Sequence, residues 1–205
     1  MALERASDLI PYLEPRGLRV NGGFLEGAET IALISPGDDF WSVFSASDEY
    51  TDGLADPMDR WSSRVITGLA SELGARAYFP FGPNQAPFFA WAQRSGQAWP
   101  SPVNLLVGAA MGLNLSYRGA LGFDHILEFD PTPRICTPCA APCTRACPAG
   151  ALTRNGYDVP ACKAYLAAHA ESPCRTHGCA VRRACPASTP QLPAHAQFHI
   201  DAFLS

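Results

Sequence analysis

Cysteine is missing from the long N-terminal part of this chain, and charged residues are scarce throughout it. No cysteine precedes Cys136, whereas all eight lie between Cys136 and Cys185. Charged residues make up only 17% of the 205 residues and hydrophobic residues 47%, so a sizeable hydrophobic core is expected. The 19 prolines and 17 glycines indicate a turn-rich α+β chain rather than a helical bundle.

Basic runs and long apolar runs are also absent. The net charge of −4 and the lack of a basic stretch predict that nucleic acid is not a partner. The apolar runs are too short to span a membrane, and Glu4, Arg5 and Asp8 interrupt the place where a signal peptide would be apolar. We therefore expect no membrane partner and a cytoplasmic location. Disulfides do not persist in the cytoplasm, so eight cysteines there indicate metal binding or redox chemistry.

The composition changes near residue 130, where Asp130-Pro131-Thr132-Pro133 is typical of a linker. We predict a first domain over 1–130 in which helices and strands alternate. A cysteine module is predicted over 131–190. The apolar residues of the tail, 191–205, predict that it packs back on the fold as a short helix or strand.

The best-defined element of the first domain is a helix over Pro57–Leu73. Asp56 is a suitable cap, Pro57 suits the first helical position, and Gly74 suits the end of the helix. Strands are predicted over 18–25, 30–34, 76–81, 103–107 and 114–122, and a second, aromatic-rich helix over 87–94.

The cysteine module contains an internal duplication. Residues 136–148 read CTPCAAPCTRACP and residues 174–186 read CRTHGCAVRRACP, and the two segments align without a gap. Both begin with cysteine and both end in Arg-Ala-Cys-Pro. Cys162 stands between the two copies. Two similar cysteine runs are typical of proteins that hold two iron–sulfur clusters.

The spacing predicts two sets of four ligands. In two-cluster ferredoxins the last cysteine of each run, the one followed by proline, binds the other cluster. This rule predicts one [4Fe–4S] cluster on Cys136, Cys139, Cys143 and Cys185. It predicts a second [4Fe–4S] cluster on Cys147, Cys162, Cys174 and Cys179. No cysteine is left over.

Three other interpretations of the cysteines remain open at this point. They could form structural zinc sites, with His177 as a further ligand. They could be disulfides or free thiols, or could hold a single cluster. The two Cys-Pro endings favour iron over zinc. Arg145, Arg182 and Arg183 lie beside the ligands, where they either offset cluster charge or are simply solvated.

The module resembles the dicluster ferredoxin part of the epoxyqueuosine reductase family. The likeness includes Cys162 shortly before a Tyr-Leu pair and the His177-Gly178-Cys179 stretch. Upstream, 101–106 (SPVNLL) and 115–121 (LSYRGAL) resemble the core of the same superfamily, which includes the cobalamin-processing protein lost in combined methylmalonic aciduria and homocystinuria. The second run departs from the family spacing, because position 182 is arginine and Cys174 stands earlier instead.

The resemblance implies a nitroreductase-like α/β domain followed by a ferredoxin-like dicluster module. It also implies a cavity for cobalamin or FMN in the first domain. The residues that would line this cavity are Tyr78, Phe79, Phe81 and Gly82 in one stretch, and Tyr117, Arg118 and Gly119 in another. His125 is a candidate axial ligand of cobalt. Equally, the aromatic residues could form core and Arg118 a surface ion pair.

Three functional hypotheses follow. The chain is an oxidoreductase of the cobalamin-dependent reductase type, a non-enzymatic iron–sulfur electron carrier, or a zinc-stabilised binding module without a redox role. We favour an iron–sulfur electron-transfer protein that delivers electrons to a redox partner protein, or to a corrinoid, flavin or small-molecule substrate at the α/β domain. The sequence defines neither the substrate nor the oligomeric state.

Overall fold

A β-hairpin begins the main sheet of the computed structural model, which describes residues 3–204. Its two strands pair antiparallel across a turn at Gly27, which has a φ of +62°. Asn21-Gly22, a turn-forming pair, instead lies within the first strand, where the register shifts between Val20 and Gly23. The strands are β1 (Leu18–Glu26), β2 (Glu29–Pro36), β3 (Arg76–Tyr78), β4 (Ala98–Pro100), β5 (Leu106–Gly108), β6 (Gly119–Phe123), β7 (Leu152–Thr153) and β8 (Gly156–Tyr157).

Four of these strands form one antiparallel sheet in the order β1-β2-β6-β3. All five residues of β6 are buried, as expected for a strand with neighbours on both sides. β4 pairs with β5 and β7 with β8 in two small ribbons. The protein is therefore of mixed α+β class, as predicted from the sequence.

The remaining regular structure is helical. The α-helices are α1 (Ile10–Leu13), α2 (Phe40–Ser45), α3 (Asp48–Thr51), α4 (Pro57–Leu73), α5 (Phe88–Arg94), α6 (Val159–Ala168), α7 (Pro173–Thr176), α8 (Ala180–Arg183) and α9 (Pro193–Leu204). Short 3-10 helices cover Ala6–Leu9, Glu14–Arg16 and Pro142–Arg145. Within the described range 3–204, no helix combines the length and apolar character needed to cross a membrane.

Helix α4 has the bounds that the sequence predicts. It packs on β3 and β6 and buries Trp61, Ile66 and Leu69, each of which contributes about 1.5–3 kcal/mol of burial free energy. Gly74 ends the helix in a left-handed conformation, as expected. The predicted cap is wrong, because Asp56 has a φ of 51° and its side chain makes no capping hydrogen bond.

The chain divides into two units, and it passes between them at three points, of which only one lies near the boundary predicted from the sequence. The first unit, here called the sheet unit, ends at Gln97 and resumes over Ser116–Thr132. The second, the cysteine unit, takes Ala98–Leu115 and continues from Pro133 onward. The change at residue 132 lies close to the predicted boundary. The assignment of 98–115 to the cysteine unit was not predicted. It arises because Val103, Val107 and Leu113 form a core with three residues of the later segment, Cys143, Leu152 and Val181.

Several predicted strands are shorter or shifted. The strand predicted over 103–107 forms only at Leu106–Gly108, because Asn104 has a φ of 60° and turns the chain after Ser101. The strand predicted over 114–122 begins at Gly119, because Asn114 closes a turn with Met111. The predicted tail is helix α9, which belongs to the cysteine unit.

One ion pair of the sheet unit predicts a pH-dependent stability. Arg64 donates hydrogen bonds of 2.5 and 2.9 Å to the carboxylate of Glu49, which is only 12% exposed. This contact lowers the pKa of Glu49 from 4.5 to about 2. A depressed carboxyl pKa adds stability above the unfolded pKa, and that stability is lost as the pH falls through the folded value.

An Arg64→Met variant is therefore expected to lose about 1 kcal/mol of unfolding free energy at pH 7, a modest amount because the arginine is exposed and screened. The deficit should shrink as the pH falls from about 4.5 to about 2. Urea unfolding of both proteins across this range measures it. The double variant Glu49→Gln/Arg64→Met, compared with the two single variants, isolates the free energy of the interaction between these two side chains. A deficit that stays constant down to pH 2 would contradict the assignment.

Candidate metal centre

Four cysteines line one cavity in the cysteine unit. They are Cys136, Cys139, Cys143 and Cys185, the four that the sequence assigns to the first cluster. The cavity has a volume of about 20 Å³. The rest of its lining is mainly apolar: Ser101, Pro102, Val107, Leu113, Ala141, Pro142 and Pro186. The structure thus brings Cys185 to three cysteines that lie far from it along the chain.

A compact loop positions the first three of these cysteines. The amide of Cys139 donates to the carbonyl of Cys136 at 3.2 Å, which closes the first turn. The amide of Ala141 donates to Cys139 Sγ at 3.4 Å. Ala141 has a φ of 52°, and this left-handed conformation redirects the chain into the 3-10 helix Pro142–Arg145, which carries the buried Cys143. The Pro142 that follows suits the first position of that helix.

The fourth cysteine is held by the wall of the cavity. The Ser188 amide donates to the carbonyl of Cys185 at 2.9 Å. Ser188 in turn accepts the amide of Leu113 through its hydroxyl oxygen at 2.9 Å, and Asn114 donates to the carbonyl of Thr189 at 2.7 Å. The inserted segment 98–115 therefore fixes the position of Cys185 as well as covering the cavity.

The thiols of this set influence one another. Burial raises the pKa of Cys136 and of Cys143, and in each case the nearby Cys185 thiol raises it further. Without a cation these thiols therefore favour the protonated form. A positively charged metal group would reverse this preference, because thiolates are the form that binds metal.

The four cysteines of the second predicted set interact with one another less than those of the first set do. Burial raises the pKa of Cys179, and the neighbouring Cys174 contributes in the same direction. Burial raises the pKa of Tyr157, and the nearby Cys162 and Cys179 thiols raise it further. Cys147 packs, like Cys179, against the apolar core that contains Val181.

Three of the four cysteines of the second set lie at the starts of helices, and Cys147 lies outside the helices. Cys162 lies in the first turn of α6, where the Asp158 carboxylate accepts the amide of Ala161 at 2.9 Å. Cys174 lies in α7, where the Ser172 hydroxyl accepts the amide of Cys174 at 3.3 Å. Cys179 is the residue from which α8 begins. The caps from Asp158 and Ser172 hold the backbone at Cys162 and Cys174 in a defined conformation, whereas α8 has no side-chain cap.

Arg182 is a charged residue at this second set. Its side chain is partly buried and donates to the carbonyl of Leu113. Burial lowers the pKa of Arg182, whereas Cys179 and Tyr157 act in the opposite direction. Arg145 and Arg183 are exposed by comparison. In the sequence Arg182 is only a neighbour of the predicted ligands, and the spacing of the cysteines contains no signal for Tyr157.

Within residues 3–204, no three Cys, His, Asp or Glu side chains are placed to hold one metal ion together. The thiolates of a tetrahedral zinc site stand about 3.8 Å apart, given zinc–sulfur bonds of about 2.3 Å. In a four-iron cluster each thiolate binds a different iron, so the four sulfurs stand farther apart. The two kinds of metal group thus require different separations of the same sulfurs. His177, the further zinc ligand considered above, makes a 2.7 Å hydrogen bond with Thr176 through Nδ1.

The residues predicted to hold cobalamin or FMN lie in the sheet unit, and most of them have partners there. The Tyr78 hydroxyl donates to Glu29 at 2.9 Å, and its ring packs edge-on against Trp91. The Phe79 and Phe81 rings are half-buried and 5.2 Å apart. Tyr117 is buried and donates to the carbonyl of Asn21 at 3.4 Å.

Arg118 is the most unusual of these residues. Its side chain is only 14% exposed, its Nη1 lies 3.8 Å from the Asp59 carboxylate, and burial raises the pKa of Asp59. Its Nε is buried without a hydrogen-bond partner among residues 3–204. Arg118 is therefore not a surface ion-pair residue.

Two cavities of the sheet unit are lined by other residues. One of about 640 Å³ is bordered by Leu18, Arg19, Asp38 and Phe129, among others, and by none of the seven residues predicted to line the cofactor cavity. Another, of about 570 Å³, includes the exposed His125 beside Tyr12 and Glu72. The predicted aromatic residues and Arg118 therefore do not border either space.

Comparison of the chain with family models, with curated proteins and with solved structures finds no match in any of the three.

Proposed function

We propose that this chain is a cytoplasmic electron-transfer protein that binds two [4Fe–4S] clusters through its eight cysteines. A redox partner protein or a small molecule would exchange electrons with it. The observation that carries the proposal is the cavity shared by Cys136, Cys139, Cys143 and Cys185. When bound, such a cluster supplies reversible one-electron transfer.

The donor set of the first site fits this group. All four metal-binding side chains around the cavity are thiols, and no carboxylate among residues 3–204 lines it. Val107 and Leu113 are fully buried and exclude water from one side. The Ala141 amide already donates to a cysteine sulfur, and hydrogen bonds to the sulfurs are one way in which proteins tune cluster potentials.

The charge at the second site also fits. Four thiolates and an iron–sulfur core carry net negative charge, and a buried cation without an anion nearby is costly. Arg182 lies beside Cys179 and Tyr157, and no carboxylate forms an ion pair with it among the residues described. The proposal assigns Arg182 the role of offsetting negative charge at the second cluster.

The sheet unit supports the carrier form of the proposal over the reductase form. Tyr78 and Tyr117 already use their hydroxyls within the protein, so these two residues do not fit a role in contacting a corrinoid or flavin. We propose kinship with the epoxyqueuosine reductase superfamily, with a nitroreductase-like sheet unit and a ferredoxin-like cysteine unit. The internal duplication and the mixed α+β architecture support it.

The test is the metal and sulfide content of protein purified without oxygen. We expect about eight irons and about eight acid-labile sulfides per chain, with little zinc. Stoichiometric zinc without sulfide would overturn the proposal in favour of a zinc-stabilised binding module. In the same preparation we expect no stoichiometric corrinoid or flavin. Retention of either cofactor would favour the cobalamin-dependent reductase form.

A further inference from the structure

Helix α9 carries two histidines on successive turns. His195 and His199 are four residues apart, so their side chains lie on the same face of the helix. Their Nε2 atoms are 3.0 Å apart, and their ring centroids are 4.7 Å apart. Both side chains are partly exposed, whereas Ala196 between them is buried. Solvent and ions can therefore reach the pair while the helix is anchored.

We propose that His195 and His199 form a binding site for a divalent transition-metal ion, distinct from the cysteine sites. Two histidines at this spacing on a helix are a recurrent chelating pair, because one ion can bond both imidazoles at once. No predicted cluster ligand belongs to α9, and the proposal does not depend on iron at the cysteines.

The separation of the two nitrogens indicates which ion fits best. With metal–nitrogen bonds of about 2.05 Å, a nitrogen separation of 3.0 Å corresponds to an angle of about 94° at the metal. Neighbouring ligands in octahedral or square-planar coordination are about 90° apart, whereas tetrahedral zinc requires about 109°. Ni²⁺ and Cu²⁺ prefer the former geometry, so the site favours these ions over zinc, with water in the remaining positions.

Proton chemistry accompanies binding. In the absence of metal, a proton on one Nε2 allows it to donate to the other at the observed 3.0 Å. An ion that bonds both Nε2 atoms displaces this proton and leaves each ring protonated at Nδ1. The metal therefore links two turns of α9 more strongly than the hydrogen bond does, and we expect Ni²⁺ to stabilise this helix against unfolding.

Contacts with neighbouring elements hold α9, which carries the histidine pair, in place. The helix packs on α7, and Ala196 lies against Gly178, where an added Cβ would be 3.3 Å from the Ala196 side chain. Near its end, Phe203 stacks on Tyr157 with centroids 6.3 Å apart, and Lys163 lies 5.3 Å from the same ring. These contacts fix the helix at both ends of the histidine pair.

Titration of the full chain, purified without oxygen and with its iron counted, with Ni²⁺ tests the proposal. The imidazole resonances of His195 and His199 should broaden together, before those of the exposed His169. His199→Gln should weaken nickel binding at α9 by at least about tenfold, because it converts a two-ligand site into a single ligand. His169→Gln is the matched control and should change nothing there. Nickel bound by cysteines would affect both variants equally.

Two outcomes would overturn the proposal. One is equal broadening of His169, His195 and His199, which would mean independent single histidines. The other is an affinity at α9 that His199→Gln leaves unchanged. His195→Gln provides a second, independent removal of one ligand, so the result does not depend on a single variant that perturbs the helix.

Discussion

Replacement of Cys143 by serine is expected to halve the iron content, from about eight to about four atoms per chain. Cys143 is buried, and it lines the same cavity as Cys136, Cys139 and Cys185. A serine oxygen is a much poorer ligand for iron than a thiolate, so the remaining three cysteines should not retain the cluster. Because metal binding supplies folding energy to small metal-dependent units, the cysteine unit should also lose several kcal/mol of stability.

Iron and sulfide analysis and urea unfolding measure both effects. Thr137→Ala is the matched control, since Thr137 is exposed in the same loop and is not a predicted ligand. Cys147→Ser should remove the other four irons, and the Cys143→Ser/Cys147→Ser variant should have none. Full iron retention by the Cys143 variant would refute the ligand set, and so would loss of all eight irons with the unit still folded.

Gly112→Ala is expected to destabilise the cysteine unit by about 3 kcal/mol. Gly112 has a φ of 55°, in the left-handed region, and an added Cβ would lie 2.3 Å from the Ser188 amide nitrogen and 2.5 Å from the Ala187 carbonyl carbon. Those atoms are backbone and cannot rotate away. The clash contributes about 1–3 kcal/mol and the left-handed conformation about 1 kcal/mol more.

The same clash should reach the metal centre. Ser188 holds both Leu113 and Cys185, so displacing it should also lower the iron content or speed its loss to a chelator. Gly150→Ala is the control for conformation alone. Gly150 has a φ of 62° but no atom within 4 Å of an added Cβ, so only about 1 kcal/mol is expected there. Equal destabilisation by the two substitutions would show that the contact with residues 187–188 is unimportant.

Local sequence signals were sufficient to predict the elements whose ends are set by residues such as proline and glycine. The bounds of α4 followed from Pro57 at its start, Gly74 at its end and the apolar stripe between them. The strand predicted near 103–107 was wrong in extent, because a left-handed Asn104 is decided by packing rather than by propensity. The assignment of 98–115 to the cysteine unit likewise depends on contacts with residues far along the chain, which no local pattern encodes.

At the candidate site, too, some features could be predicted from the sequence and others depend on tertiary packing. The duplicated Cys-Pro runs predicted which four cysteines gather at the first cavity, because the interlaced ligand rule is expressed in spacing. Spacing contains no information about Arg182 or Tyr157, whose positions beside Cys179 arise only from tertiary packing. For the residues that the resemblance assigns to a cofactor, the sequence does not indicate that Tyr78 and Tyr117 have hydrogen-bond partners inside the sheet unit.

The order in which the cavity cysteines occur along the chain has a consequence for biosynthesis. Cys136, Cys139 and Cys143 leave the ribosome first, but the fourth member of their set, Cys185, is the last cysteine to be made. A nascent chain that pauses between them presents three thiols without their partner, in a state open to oxidation. The proposed function therefore predicts that iron is loaded at this cavity only after synthesis has passed residue 185, when the segment that covers the cavity and the cysteine that completes the ligand set are both in place.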